Sequence, residues 1–263
     1  MTRAIILAAG QGTRLRPHTD DKPKCLVELC GRPLLHYQVE TLQAAGVRDI
    51  CVVTGYRADR IEADKDRLGY VTAHNPDYAR TNMVASLMCA KDHMQGDVDV
   101  LVAYSDIVYR REIVDALLAC PRPFATTVDL EWRALWSLRQ EDPIEDAETL
   151  KFAGDGSIRE LGKKPRSLAD IEAQYMGLIK LAAGFAPSFV RGYTELDPRG
   201  PYDGKDRDNM YMTSYLQRRI DGGDALQGVP VRGGWLEVDT TEDLALYHRL
   251  REQGELAAIW SHG

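Results

Sequence analysis

Short aliphatic runs alternate with amphipathic stretches through the first part of the chain. Ala4 to Leu7 is a β-branched and aliphatic run that Gly10 ends, which predicts a buried strand. Leu34 to Ala45 carries Leu34, Leu35, Val39 and Leu42 at helical spacing, and Gly46 suits its C-cap. Asp49 to Thr54, built on Ile-Cys-Val-Val, predicts a second strand. Ala58 to Leu68 reads as a charged surface helix, Tyr70 to Ala73 as a third strand and Asn82 to His93 as another helix. Val98 to Tyr104 is an apolar run broken only by Asp99, and it ends in Ser105-Asp106.

Such alternation implies parallel strands joined by crossover helices. The expected class is therefore α/β, a Rossmann-like doubly wound mixed sheet whose ligand crevice lies at the carboxyl ends of its strands. Gly10, Gly55 and Asp106 all fall just past such ends. After about Phe124 the pattern becomes mixed. Leu150 to Phe152, the Asp155-Gly156 turn and Ile158 to Leu161 predict a hairpin, and Gln174 to Leu181 a strand. Asn209 to Ile220 predicts a helix, and Trp235 to Val238 a strand running into a last helix from Thr241. No repeat or linker divides the chain, so one domain over residues 1–263 is expected.

A formal net charge of -7 argues against nucleic acid as a partner, so any anionic ligand must meet a local cationic site. None of the five cysteines forms a Cys-x-x-Cys pair, which suggests neither zinc nor a redox dithiol and fits a reduced cytoplasm. No stretch approaches membrane-spanning length, and the N-terminal run reads as a strand rather than a targeting segment.

The stretch Leu7-Ala8-Ala9-Gly10-Gln11-Gly12-Thr13-Arg14-Leu15, followed by Pro17, Pro23 and Lys24, concentrates the candidate chemistry. Gly10 and Gly12 allow backbone amides to face phosphate oxygens with no Cβ in the way. Arg14 offers a bidentate fork and Lys24 a mobile point charge. Other phosphate loops do not fit. A dinucleotide fingerprint wants glycine where Leu15 stands, and the Gly-Lys-Ser/Thr of a P-loop is absent. Two aspartates end apolar strands and suit a divalent cation, Asp106 after Ala-Tyr-Ser and Asp239 after Trp-Leu-Glu-Val. The ordinary alternatives are a turn residue for Asp106 and a helix N-cap for Asp239. Glu237 shares a strand face with Asp239 and stays open as a ligand.

The segment LAAGQGTRLRPHTDDKPKCLVELCGRPLL resembles the signature of the sugar-nucleotide pyrophosphorylase type of nucleotidyltransferase. The resemblance implies a nucleotide-diphospho-sugar transferase type of fold with a small acceptor-side elaboration. Its nucleotide-binding half would run to about residue 123, and its acceptor half, from about 124, would carry the second metal aspartate. It also implies that Arg14 and Lys24 contact the triphosphate and the transferring phosphoryl group, and that Asp106 and Asp239 hold Mg²⁺.

Gly55-Tyr56, Asn75 and the helix Asn82-Met83-Val84-Ala85-Ser86-Leu87 resemble the cytidylyltransferases that act on phosphocholine. CTP is then the expected nucleotide, with Asn75, Asn82 and Ser86 lining its pocket, although Asn82 also suits a plain helix cap. Trp132-Arg133-Ala134-Leu135-Trp136, the run Asp142 to Glu148, Glu172 to Gly177 and Asn209 to Ser214 look more like a branch acting on phosphoglutamine in capsule or cell-surface modification.

Choline would want an aromatic cage, to which Trp132, Trp136 and Tyr175 could contribute. An amino acid would want a carboxylate for its ammonium, from Glu148, Glu172 or Asp208. It would also want a cation for its carboxylate, from Lys151, Lys163 or Lys164, and Gln174 joins the candidate acceptor set. Rival readings are a sugar 1-phosphate enzyme using another nucleotide, a phosphonate acceptor, a nucleotide-sensing regulatory subunit without catalysis, and a nicotinamide-dependent dehydrogenase, which Leu15 disfavours. A homodimer is left open.

Overall fold

The computed structural model describes residues 2–262. In chain order the first elements are β1 (Thr2–Ala8), β2 (Glu28–Leu29), β3 (Arg32–Pro33), α1 (Leu34–Ala44), β4 (Asp49–Thr54), α2 (Ala58–Glu62), α3 (Lys65–Leu68), β5 (Val71–His74), α4 (Met83–Cys89) and β6 (Asp99–Tyr104). Then come β7 (Ile107–Tyr109), α5 (Arg111–Ala119), β8 (Phe124–Asp129), α6 (Trp132–Arg139), β9 (Leu150–Phe152), β10 (Ile158–Leu161) and β11 (Gln174–Leu181). The chain closes with α7 (Ala186–Thr194), α8 (Met212–Asp221), β12 (Gln227–Val231), β13 (Trp235–Glu237), α9 (Thr241–Glu252) and α10 (Leu256–Ile259).

Seven strands form the main sheet in the order β12-β8-β11-β6-β1-β4-β5. β5, β4, β1 and β6 run parallel, β11 is antiparallel to β6 and β8, and β12 runs parallel to β8. The sheet is thus mixed, and strands from both halves of the chain share it. β1 shows why the N-terminal run is apolar at consecutive positions. Ala4 and Ile6 pack into the layer with α1, α5 and α9, while Ile5 and Leu7 pack into the opposite layer with α4, α7 and α8. A parallel strand covered on both faces has no solvent side to fill with polar residues. Each fully buried isoleucine there contributes about 1.5–3 kcal/mol.

Several expected elements change length. The helix expected from Ala58 to Leu68 is two short helices broken at Ala63 and Asp64, and that from Asn82 to His93 stops at Cys89 before a 3₁₀ turn over Lys91–Met94. The helix expected from Asn209 begins at Met212. Gly46 follows α1 at φ +85°, the left-handed conformation that a helix C-terminus uses. β13 does not join the main sheet. It pairs antiparallel with β7, setting Glu237 opposite Ile107, and the Val238 amide donates to the Asp106 carbonyl at 2.8 Å. That small ladder positions the site.

Candidate active site

The loop after β1 is shaped by glycine and lysine together. Gly12 has φ +64°, and a Cβ there would lie 2.7 Å from the Cβ of Lys24, so both the backbone angle and the approach of Lys24 require glycine. At Gly10 a Cβ would meet nothing within 4 Å, which leaves open space beside the loop. Leu15 is fully buried and anchors the turn, and the Thr19 hydroxyl donates to the Gly12 carbonyl at 2.9 Å. Thr13 and Arg14 remain exposed.

Gly55 and Tyr56 hold this loop from behind. The Tyr56 amide donates to the Ala9 carbonyl at 3.1 Å and its hydroxyl to the Asp20 carbonyl at 2.9 Å. A Cβ on Gly55 would sit 2.6 Å from Tyr78 and 2.7 Å from the Ala9 carbonyl oxygen.

Two aspartates separated by about half of the chain converge here. β6 delivers Asp106 and β13 delivers Asp239, and the β7–β13 ladder fixes their separation. Lys24 Nζ lies 2.8 Å from Asp106 Oδ2 and 2.6 Å from Asp239 Oδ1, and Arg14 Nη1 lies 2.5 Å from Asp239 Oδ2. Burial by itself would lower the pKa of the Lys24 ammonium, but the charges of both aspartates and their hydrogen bonds hold it above the usual lysine value. Asp106 Oδ1 is buried without a hydrogen-bond partner. The alternative role of Asp239 as a cap does not apply, because Thr240 is the N-cap of α9, in a capping box with Asp243. Glu237 lies beside the two aspartates but is engaged by another partner: its carboxylate accepts from Arg139 Nη1 at 2.6 Å.

Leu7, Ala9, Gly10, Lys24, Asn82, Ser86, Tyr104 and Asp106 line a cavity of about 140 Å³. Ala8 points into the opposite layer. Asn82 does cap α4, accepting from the Met83 amide at 2.7 Å, and it lines the cavity as well. Asn75 is buried and lies behind the wall. It donates to Ser86 Oγ at 2.9 Å and to Thr81 Oγ1 at 3.0 Å, and accepts from the Asp77 amide at 2.9 Å.

A second cavity, of about 290 Å³, is lined by Trp136, Asp146, Glu148, Gln174, Tyr175 and Thr213, together with Arg14, Asp106, Glu237 and Asp239. Gly177 shapes it. At φ +78° it sits in the β11 bulge, where a Cβ would lie 2.6 Å from the Tyr104 ring, and Tyr175 meets that ring edge-on at 5.7 Å. Glu148 is pushed up to about 6 by burial, with the Asp146 charge adding and a Thr213 hydrogen bond opposing. Trp136 Nε1 and the Tyr175 hydroxyl are buried without partners.

Six expected acceptor residues fall outside this cavity. Trp132 packs in the core edge-on to Trp136. Lys151 pairs with Asp170 at 2.8 Å, Lys163 with Glu160 at 3.1 Å and Asp208 with Arg207 at 2.9 Å. Glu172 accepts from the Phe152 amide at 3.0 Å, and Lys164 donates to the Ile144 carbonyl at 2.9 Å. Each of the five charged residues is thus met by a neighbour outside the cavity. A larger hollow of about 720 Å³ beside α7 and α8 contains none of the expected site residues.

Sequence reading passed over Arg139, whose side chain is 1% exposed and bonds both Glu237 and Asp243. Its partners follow about a hundred residues later in the chain, so no local pattern marks it.

Paired carboxylates and cations set at the point where a doubly wound sheet reverses its strand order serve transfer between polyanions, and the molecule is by class a nucleotidyltransferase. The chain belongs to the MobA-like NTP transferase domain family, whose model matches residues 4–166. It is 42% identical to the CTP:phosphoglutamine cytidylyltransferase of Campylobacter jejuni over 248 residues, 92% of this chain and 97% of that protein. It is 41% identical to the choline-phosphate cytidylyltransferase of Streptococcus pneumoniae over 92 residues, 35% of this chain and 40% of that one. The solved structure of CTP:phosphocholine cytidylyltransferase from Streptococcus pneumoniae shares the fold, with a TM-score of 0.71 at 23% identity over 96% of this chain and 98% of that one. These findings bear out the family resemblance carried by the glycine loop and the mixed doubly wound sheet.

Proposed function

We propose that this nucleotidyltransferase moves CMP from CTP to the phosphate of a small acceptor of the phosphoglutamine kind and releases pyrophosphate. The observation that carries the reading is the meeting of two cavities. Met83, Tyr104 and Asp106 line both, so a nucleotide in one and an acceptor in the other would touch at Lys24, Asp106 and Asp239. The similarity to the Campylobacter jejuni enzyme along nearly the whole chain supports CTP and phosphoglutamine as the pair.

Asp106 and Asp239 approach one nitrogen at 2.8 and 2.6 Å, so a single cation can touch both, and Asp106 Oδ1 is a spare acceptor. Among the described residues no group of three or more His, Cys, Asp or Glu could hold a metal ion. Phosphate oxygens and water would supply the remaining ligands, the coordination Mg²⁺ prefers. Bound there, Mg²⁺ supplies neutralisation of phosphate charge.

The chain's own residues supply the rest. An oxygen of the acceptor phosphate attacks the α-phosphorus of CTP, and the bond to pyrophosphate breaks. With a second pKa of about 6, the attacking phosphate is already largely dianionic at neutral pH, so no general base is needed. Lys24 neutralises the α-phosphoryl group, and Arg14 and the loop amides hold the departing pyrophosphate.

Glu148 faces the acceptor cavity with no salt-bridge partner among the described residues, which suits an ammonium group. Trp136 Nε1 and the Tyr175 hydroxyl suit acceptor oxygens. Phosphocholine would satisfy the first and leave the two donors unpaired, so phosphoglutamine is favoured. No helix among the described residues is long and apolar enough to cross a membrane. A cytoplasmic enzyme serving capsule or cell-surface modification completes the proposal. Pyrophosphate release with Mg²⁺ and phosphoglutamine, compared across CTP, UTP, GTP and dTTP, tests it. CTP alone should support turnover, and a preference for another nucleotide would overturn it.

A further inference from the structure

We infer that Arg139 is a positioning residue for Asp239, acting through Asp243; this rests on the proposed role of Asp239 as a metal carboxylate. Arg139 ends α6, on the acceptor side, and its guanidinium lies over the Trp136 ring at 5.3 Å. Its Nε and Nη2 grip Asp243 at 2.8 and 3.1 Å, while Nη1 takes Glu237 at 2.6 Å. Asp243 Oδ2 in turn accepts the main-chain amides of Asp239 at 2.9 Å and Thr240 at 3.0 Å. A chain of three direct bonds therefore runs from the acceptor wall to the backbone of Asp239.

Helix capping alone does not account for this arrangement. The Thr240–Asp243 capping box is complete without an arginine. A guanidinium that is 1% exposed is costly to bury unless its geometry is needed. The planar fork fixes the plane of the Asp243 carboxylate, and that plane fixes where the Asp239 amide sits. The third donor occupies Glu237, which lines the same cavity as Asp106 and Asp239. Arg139 thus withholds one carboxylate from the cation while orienting another. Lysine, a single point charge, can do one of these and not both.

The test titrates the full-length protein with Mn²⁺ in the presence of CTP and without acceptor, reading free Mn²⁺ by electron paramagnetic resonance. Arg139→Lys should weaken Mn²⁺ binding about 10- to 100-fold, as loss of an orienting partner does at metal sites. The Mg²⁺ concentration for half-activation should rise in parallel, with the far-UV circular dichroism unchanged. Asp243→Asn, which keeps the cap's shape, should weaken binding in the same direction and decides the matter if the Arg139→Lys protein does not fold. A lowered melting temperature with Mn²⁺ affinity and half-activation within about twofold of wild type would overturn the inference. Asp239→Asn separates the two failures. If it abolishes Mn²⁺ binding while Arg139→Lys does not weaken it, only the inference falls; if it leaves binding intact, the metal role of Asp239 falls as well.

Discussion

The proposed nucleotide cradle and the acceptor cavity are built in opposite ways. The cradle takes its loop from one continuous stretch, Leu7 to Lys24, braced by Gly55 and Tyr56. Only its far wall, Asn82 and Ser86 of α4 with Tyr104 and Asp106 at the end of β6, comes from elsewhere. The acceptor cavity draws Trp136 from α6, Glu148 from a loop, Gln174 and Tyr175 from β11, and Thr213 from α8. A contiguous loop presents triphosphate-binding groups in a fixed register, and its residue types are dictated by one chemistry. A cavity assembled from separate elements can exchange any wall without disturbing the others. One fold can thereby keep its nucleotide end while its acceptor end diversifies.

The comparison predicts different kinds of damage. Lys24→Ala and Asp106→Ala should each lower kcat about 10³-fold or more with the fold intact, measured by pyrophosphate release and circular dichroism. Near-normal turnover for either would remove it from the cradle. Gly12→Ala should cost about 10²-fold in turnover, because the new Cβ would displace Lys24, and about 1–3 kcal/mol of stability from the left-handed backbone. Chemical denaturation would read the second effect.

Glu148→Gln should raise the KM for phosphoglutamine about tenfold while leaving that for CTP within about twofold. The wild-type acceptor KM should also climb as pH falls below about 6, where Glu148 gains its proton, and the variant should show only the shallower limb that the acceptor phosphate itself contributes. The sign for stability is opposite. Burial raises the carboxyl above its ordinary 4.5, so the cost of its charge is absent below about pH 4.5, grows as pH rises through about 6, and persists above. Glu148→Gln should therefore melt higher than wild type at neutral pH. Least affected should be Lys151→Ala and Lys163→Ala, whose acceptor KM should stay within about twofold, since both lysines are paired outside the cavity.

What was legible in the sequence divides along the same line. Gly12, Arg14 and Lys24 announce their chemistry within one stretch, and β1, β4 and β6 are each built on a run of consecutive apolar residues. In the second half β9, β10, β11 and β13 fall where the sequence places them, but two strands stay hidden. β8 is a fully buried strand reading Phe-Ala-Thr-Thr-Val-Asp, and its threonines look solvent-facing until Thr126 Oγ1 is seen donating to the Leu178 carbonyl at 2.8 Å. β12 carries Pro230, which a strand tolerates there because β12 is the sheet edge.

The acceptor residues divide by something sequence does not encode locally, namely which charges find a neighbour. Glu148 lacks a salt bridge among the described residues and lines the cavity, whereas Asp208, Lys151 and Lys163 are answered by nearby side chains. Arg139 belongs with them, its role written in partners that only the tertiary fold brings near.

The most direct measurement is the ratio of kcat/KM for phosphoglutamine to that for phosphocholine, with CTP and Mg²⁺ held saturating. A cavity offering Glu148 together with two unpaired donors, Trp136 Nε1 and the Tyr175 hydroxyl, predicts a ratio of about a hundred or more. A ratio near or below one would contradict the assignment of that cavity to the acceptor.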